Sequence, residues 1–187
     1  MVSIIVKAVV FVAVSIGVTY VSRGSLRNRR SHGFFRFFGF EFILALFLLN
    51  VDYWFADPFS WHQLISWCFL VISIIPLAFG VHSLVKKGKP VQQREGESQL
   101  LAFEKTSVLV TTGIYHYVRH PLYSSLLFLT LGIAFKSLDW ISGLLSMLVI
   151  VFLFATAKAD EAECIRFFGS DYQTYMTRTR MFIPFIL

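Results

Sequence analysis

Long apolar runs constrain this chain more than any other feature. Residues 2–21 are broken only by Lys7, Gly17 and a few Ser and Thr, and comparable runs follow at 38–55, 61–85, 122–135 and 138–157. An α-helix rises ~1.5 Å per residue and a bilayer core is ~30 Å thick, so runs near 20 residues are long enough to cross it. A soluble interior cannot absorb them: the 187 residues are 56% hydrophobic, with 21 Phe and only 15% charged residues, and a soluble globule of that size would expose large apolar patches. The same composition excludes disorder. The expected fold class is an all-α integral membrane protein with five transmembrane helices, the last two a helical hairpin, and a cytoplasmic C-terminal segment. The expected organisation is a single membrane domain: three N-terminal spans in 1–85, a cytoplasmic loop at 86–121, the hairpin at 122–157 and the C-terminal segment at 158–187. A signal peptide competes for the first run, since Lys7 fits its basic start. No small-residue cleavage pair leads into a soluble domain and further spans follow, so the run is kept as a helix.

The basic residues test the span count, because cytoplasmic loops of membrane proteins are enriched in Lys and Arg. Arg23, Arg27, Arg29, Arg30 and Arg36 follow the first run; Lys86, Lys87, Lys89, Arg94, Lys105 and Arg119 follow the third; Lys158, Arg166, Arg178 and Arg180 follow the fifth. Fifteen of the 17 basic residues therefore fall on one side if five helices alternate from an outside N-terminus, and only Lys7 and Lys136 fall elsewhere. The net formal charge of +6 is then topology, and calls for no nucleic acid partner. Two connections are tight, 56–60 with Asp57-Pro58 and the Lys136-Ser137 step, so each joins antiparallel neighbours. The fourth run is short at 14 residues, which suits a helix packed inside the bundle. In the long connection after the third run, the polar stretch 90–98 with Gln92, Gln93, Glu95 and Glu97 reads as a solvated, lid-like loop.

Cys68 and Cys164 sit at different expected depths and read as separate thiols. His32, His62, His82, His116 and His120 show no zinc spacing, so no metal site is expected. No GxGxxG and no P-loop occurs. The densest polar cluster, Gly113 through Tyr123, leads into the fourth run. Pro121 suits a first helical turn. Arg119, His120 and Tyr123 then crowd the positive end of the helix dipole, an arrangement that binds anions. Snorkelling by Arg119, capping by His120 and an aromatic belt of tyrosines account for the same residues without a ligand. A second cluster, Lys158 through Tyr175, begins where the fifth run ends and holds Asp160, Glu161 and Glu163. Asp160 and Glu161 point about 100° apart on a helix, while Glu161 and Cys164 share a face. A closed hairpin brings the start of the fourth span beside the end of the fifth, so Arg119 and His120 can meet Asp160 and Glu161. A buried salt bridge without catalytic purpose is the alternative for that meeting. Glu41 and Asp52 fall within the second run, where intramembrane carboxylates attract functional suspicion; a direct role is expected of neither.

Taken together, Gly113-x-Tyr115-x-x-x-Arg119-His120-Pro121-x-Tyr123, an acidic pair seven and eight residues before Phe168-Gly169, Tyr172-x-x-Tyr175 and Arg180-x-x-x-Pro184 resemble the isoprenylcysteine carboxyl methyltransferase family and its phospholipid methyltransferase relatives. The resemblance spans 103–184 and implies S-adenosylmethionine as cofactor, released as S-adenosylhomocysteine. Residue by residue, Tyr115, Arg119, His120, Pro121 and Tyr123 match the family's box. Glu161 matches the second member of its usual Glu-Glu pair, Asp160 replaces the first, and Cys164 stands where relatives carry Leu. Carried over this way, the catalytic candidates are Arg119, His120 and Glu161. The cofactor-binding candidates are Tyr115, His120, Pro121, Tyr123, Asp160 and Glu161.

The implied reaction is methyl transfer to a lipophilic or membrane-embedded acceptor at the cytoplasmic interface: a phospholipid amine, a prenylcysteine carboxylate or a small thiol. Glu161 with Asp160 is expected to meet the cofactor's ammonium or ribose, and Arg119 with His120 its carboxylate or the acceptor. Tyr115 and Tyr123 offer aromatic faces to the sulfonium. An amine or thiol acceptor needs a base, for which His120 is placed; a carboxylate needs only orientation by Arg119. A sterol-reductase-like enzyme using NADPH and a non-enzymatic protein that keeps the fold are the competing readings.

Overall fold

Polar caps mark where the apolar runs turn helical in the computed structural model, which describes residues 2–89 and 106–184. Helix α1 (Ile4–Leu26) starts after Ser3, whose side chain accepts from the Ile5 N–H. Helix α2 (His32–Asn50) starts after Ser31, which accepts from the Phe34 N–H, and runs into a 3-10 turn at Val51–Tyr53. Helix α3 is Trp61–Lys87. Helix α4 (Pro121–Ala134) opens on Pro121, where the missing N–H costs nothing. Helix α5 (Trp140–Phe168) is capped by Asp139, which accepts from the N–H groups of Ile141 and Ser142. The short helix α6 is Ser170–Arg178.

Among the described residues the fold is helical apart from one parallel bridge between Val118 and Arg180. Helices α1, α2 with its 3-10 turn, α3 and α5 are long and apolar enough to cross a membrane. Helix α4 is shorter, with 14 residues, or ~21 Å. Two expected boundaries are corrected. The second helix starts at His32 rather than 38, because Ser31 caps it there. The fifth helix does not end at 157 but continues through the acidic cluster to Phe168, so the first part of the expected 158–187 segment extends α5. It continues because its acids find partners, and it stops at Gly169, whose φ of +61° favours a residue without Cβ. The polar stretch 90–98, expected as a loop, lies outside the described residues.

Helices α4 and α5, joined by the short link 135–139, form the expected hairpin. It is held between α3, which packs chiefly on α4, and α2, which packs chiefly on α5; α1 docks on α2. The core gathers Leu46 of α2, Ile133 of α4, Val149 and Leu153 of α5, and Phe182 from the C-terminal segment. The outer faces are apolar and exposed, with Ile4 and Val21 on α1, Phe79 on α3 and Met147 on α5, as lipid-facing surfaces require.

Polar side chains inside this apolar bundle are paired across helices. Asp52 takes Lys7 Nζ at 2.7 Å and Glu41 accepts from Ser15, so both acids hold α1 to α2. Asn50 donates to Ser142 Oγ at 2.9 Å, tying α2 to α5. Lys136, 1% exposed, donates to Gln63 Oε1 at 3.0 Å and sits 3.5 Å from the centre of the Trp67 ring. The two basic residues that escape the sidedness pattern are thus both partnered within the bundle.

Helices α3 and α4 approach closely at Gly132, whose carbonyl accepts from Ser66 Oγ at 2.6 Å. A Cβ there would lie 2.8 Å from Leu70 Cγ and Cδ2 and 3.1 Å from the Leu70 backbone nitrogen. Gly132→Ala should therefore destabilise the protein by about 1–3 kcal/mol through overpacking, seen as a lower thermal midpoint in detergent.

Candidate active site

The C-terminal part of α5 carries carboxylates that cannot remain buried alone. Glu161, 3% exposed, is met by Arg119 from the residues just before α4: Nε and Nη2 reach Glu161 Oε1 at 2.9 and 2.8 Å. Arg119 Nη1 donates to the carbonyls of Met176 in α6 and of Thr179 just beyond it. Four of the five guanidinium N–H groups are thereby engaged. Lys158 adds a contact to Glu161 Oε2 at 3.1 Å from a largely exposed position, which contributes little.

The C-terminal segment then closes over this pair. The N–H groups of Arg119 and His120 donate to the carbonyls of Arg180 and Met181 at 2.8 and 3.1 Å, and Arg180 N–H returns to the Tyr117 carbonyl at 3.1 Å. Ser124 Oγ donates to the Phe182 carbonyl at 2.7 Å, and Tyr175 Oη to the Tyr115 carbonyl at 2.6 Å. Phe182, 2% exposed, packs edge-on against Phe154 of α5. Tail, α4 entry and α5 are one hydrogen-bonded unit.

Beside it opens a cleft of about 770 Å³. Its lining includes the charged or polar Arg119, His120, Asp160 and Glu163, the aliphatic Leu84, Leu109, Val110 and Leu122, and Tyr115, Tyr123, Tyr172 and Tyr175. Of the residues singled out from sequence, the cleft brings together Tyr115, Arg119, His120, Pro121, Tyr123 and Asp160, while Glu161 is absent from its lining and turns to Arg119. Asp160 is held more loosely, by Tyr123 Oη at 3.3 Å and His120 Nδ1 at 3.4 Å. Cys164 shares the cleft face with Asp160, its Sγ 3.7 Å from Oδ1, rather than with Glu161. Sequence inspection had no signal for Glu163 or for His32, which meets it from α2; Tyr172 and Tyr175 could be found through their place in the motif.

His120 is 5% exposed and stacks on Tyr123 with centroids 5.4 Å apart. Burial alone would lower its pKa, but hydrogen bonding and attraction to Asp160 and Glu161 outweigh burial and raise it above the ordinary 6.5. Its Nε2 has no hydrogen-bond partner among the described residues, although Glu161 Oε1 lies 3.6 Å away. Burial pushes the Tyr172 and Tyr175 phenols up, so both stay neutral.

The model of the phospholipid methyltransferase family matches residues 96–170. The protein-S-isoprenylcysteine O-methyltransferase of Schizosaccharomyces pombe is 32% identical over 127 residues, covering 66% of this chain and 54% of that protein. The Homo sapiens protein of the same name is 34% identical over 83 residues, 43% of this chain and 29% of its own length. The Saccharomyces cerevisiae one is 31% identical over 84 residues, covering 44% and 35%. Over residues 96–170 the chain is similar to the phospholipid methyltransferase family. No solved structure gives a significant match. The chain spans about half the length of the first of these methyltransferase relatives and less of the others. The family model takes in the Arg119-His120-Pro121 box and the acids of α5 but stops before Tyr172, Tyr175 and the clasping tail, and begins after His32.

Removing one partner of the buried Arg119–Glu161 pair strands the other charge. Glu161→Ala should cost about 3–5 kcal/mol of stability, and Glu161→Gln, which keeps an acceptor, less; equilibrium unfolding in detergent measures both. Because the folded pKa of His120 is raised, its stabilising contribution is complete below about 6.5 and is lost as pH rises through the folded value. The thermal midpoint of the wild type should fall across that interval relative to His120→Asn, which lacks this titration.

Proposed function

We propose that this chain transfers a methyl group from S-adenosylmethionine to a prenylcysteine-type carboxylate that reaches the cleft from the membrane. The observation that carries the proposal is the mixed lining of the cleft, in which charged groups of both signs and aliphatic side chains occur together. The names of the relatives support the acceptor class. The donor set suits the cofactor, which carries a carboxylate, an ammonium and a sulfonium: Arg119 and His120 offer positive charge, Asp160 negative charge, and the tyrosines aromatic faces for a cation.

When bound, S-adenosylmethionine supplies a methyl group already activated for displacement. The protein's part is to align and to exclude water. Asp160, loosely held and facing the cleft, receives an ammonium. Arg119 retains one N–H beyond its structural contacts, and protonated His120 adds a second donor; together they orient a carboxylate, which needs no base. Glu161 fixes Arg119, and Pro121 sets the helix start that presents both donors. Leu84, Leu109, Val110 and Leu122 offer the acceptor's hydrocarbon an apolar surface.

In the membrane the proposal takes the chain as a single domain of five spans, with α4 as the short fourth crossing inside the bundle. The N-terminus lies outside, and the site and C-terminus are cytoplasmic. The one-sided distribution of 15 of 17 basic residues supports this orientation.

Membranes containing the chain, incubated with methyl-labelled S-adenosylmethionine and a farnesylcysteine analogue, should yield label in a base-labile ester. Arg119→Ala and Asp160→Asn should each lower turnover at least tenfold in folded protein. Label found only in phospholipid amines or small thiols would overturn the acceptor; absence of both label and S-adenosylhomocysteine binding would overturn the reaction, and NADPH binding instead would point to a reductase.

A further inference from the structure

Glu163 is a cleft carboxylate that the family motif does not mark. It stands on α5 one turn beyond Asp160, lines the same cleft and is 8% exposed. Both its oxygens are clasped from α2: Oε1 accepts from the His32 backbone N–H at 2.9 Å, and Oε2 lies 2.6 Å from His32 Nδ1. His32 is 1% exposed and is the first residue of α2, where unpaired N–H groups and the helix dipole already favour negative charge. Its neighbour Ser31 is fixed as well, donating to the Asn28 carbonyl at 2.8 Å while capping Phe34. One atom each of His32, Asp160 and Glu163 falls within 4.8 Å of the others, so the clasp abuts the loosely held acid.

We propose that Glu163 is a second ligand-facing carboxylate, which with Asp160 recognises the positive groups of the cofactor, and that His32 is the positioning residue that keeps it turned to the cleft. This rests on the cofactor reading given above. The charge balance favours it. A sulfonium amino acid carries two positive centres; Glu161 is engaged by Arg119, so Asp160 alone would offer the cleft one carboxylate and leave the second centre with only the tyrosine faces. A buried carboxylate without a partner takes up a proton or swings away. Contacts to both oxygens from one rigid residue prevent this, and each oxygen keeps a further lone pair for a ligand.

Two measurements on the full chain in detergent test the proposal. The first needs no cofactor: in a Cys68→Ser background, Cys164 in the cleft wall is modified by cationic and by anionic methanethiosulfonate reagents. Glu163→Gln should lower the ratio of cationic to anionic rates at least threefold; an unchanged ratio overturns a ligand-facing charge, whether or not any cofactor binds. The second is titration with S-adenosylmethionine. His32→Ala and Glu163→Gln should each weaken binding about tenfold and raise KM for the cofactor more than they lower kcat. The double variant should be no weaker than either single one, because His32 acts through Glu163. His32→Asn, which restores a side-chain donor, should recover part of the loss. Additive losses, or wild-type affinity in a folded His32→Ala protein, would overturn the positioning role. If the wild type itself fails to bind S-adenosylmethionine, the cofactor reading fails, and the thiol rates still decide the placement of Glu163.

Discussion

A carboxylate placed in an apolar bundle has to be met by a positive group, and on one turn of α5 three carboxylates are met from different parts of the chain. Arg119 meets Glu161, His120 meets Asp160, and His32 meets Glu163. Each meeting fixes an element. Arg119 and His120 fix the entry to α4, and through the remaining guanidinium donors and backbone N–H groups they fix α6 and the tail. His32 fixes the start of α2. If the acids were replaced by apolar residues, the helices could still pack, but these ion pairs would no longer fix the register of their ends.

Elsewhere the bundle follows the rule of its solvent. A bilayer offers polar groups no water, so each must find a partner within the protein. Lys7 with Asp52, Ser15 with Glu41, Asn50 with Ser142 and Lys136 with Gln63 are pairings of this kind, and all lie away from the cleft. They locate α1 and the far ends of the helices without contributing to the site. Intramembrane acids at 41 and 52 therefore act as helix–helix contacts, whereas two of the acids at the opposite end, Asp160 and Glu163, also line the cleft.

The division of labour among the three site acids follows from helix geometry. Asp160, Glu163 and Cys164 are spaced by three and four residues and so share the face that lines the cleft, while Glu161 is about 100° away and points at Arg119. This arrangement separates the acid that sets the position of the guanidinium from the acid that faces the cleft.

Much of this was legible in the residues alone because the signals are local. Apolar runs of sufficient length mark the helices, and the tight link at 136–137 makes the hairpin that brings Arg119 and His120 to Asp160 and Glu161. What local signals lack is helical phase and distant partners. Adjacent acids leave open which one faces a cavity, and only the packing of α5 on α2 turned Asp160 into the cleft and Glu161 away. Nothing near Glu163 announces a partner 131 positions earlier in the chain. The extension of α5 to Phe168 likewise depended on that pairing, since buried acids continue a membrane helix only where other elements neutralise them. Sequence by itself determined the apolar runs, the charged clusters and their meeting; the tertiary structure decided which charges pair away from the cleft and which line it, because a side chain's neighbours across helices are set by packing.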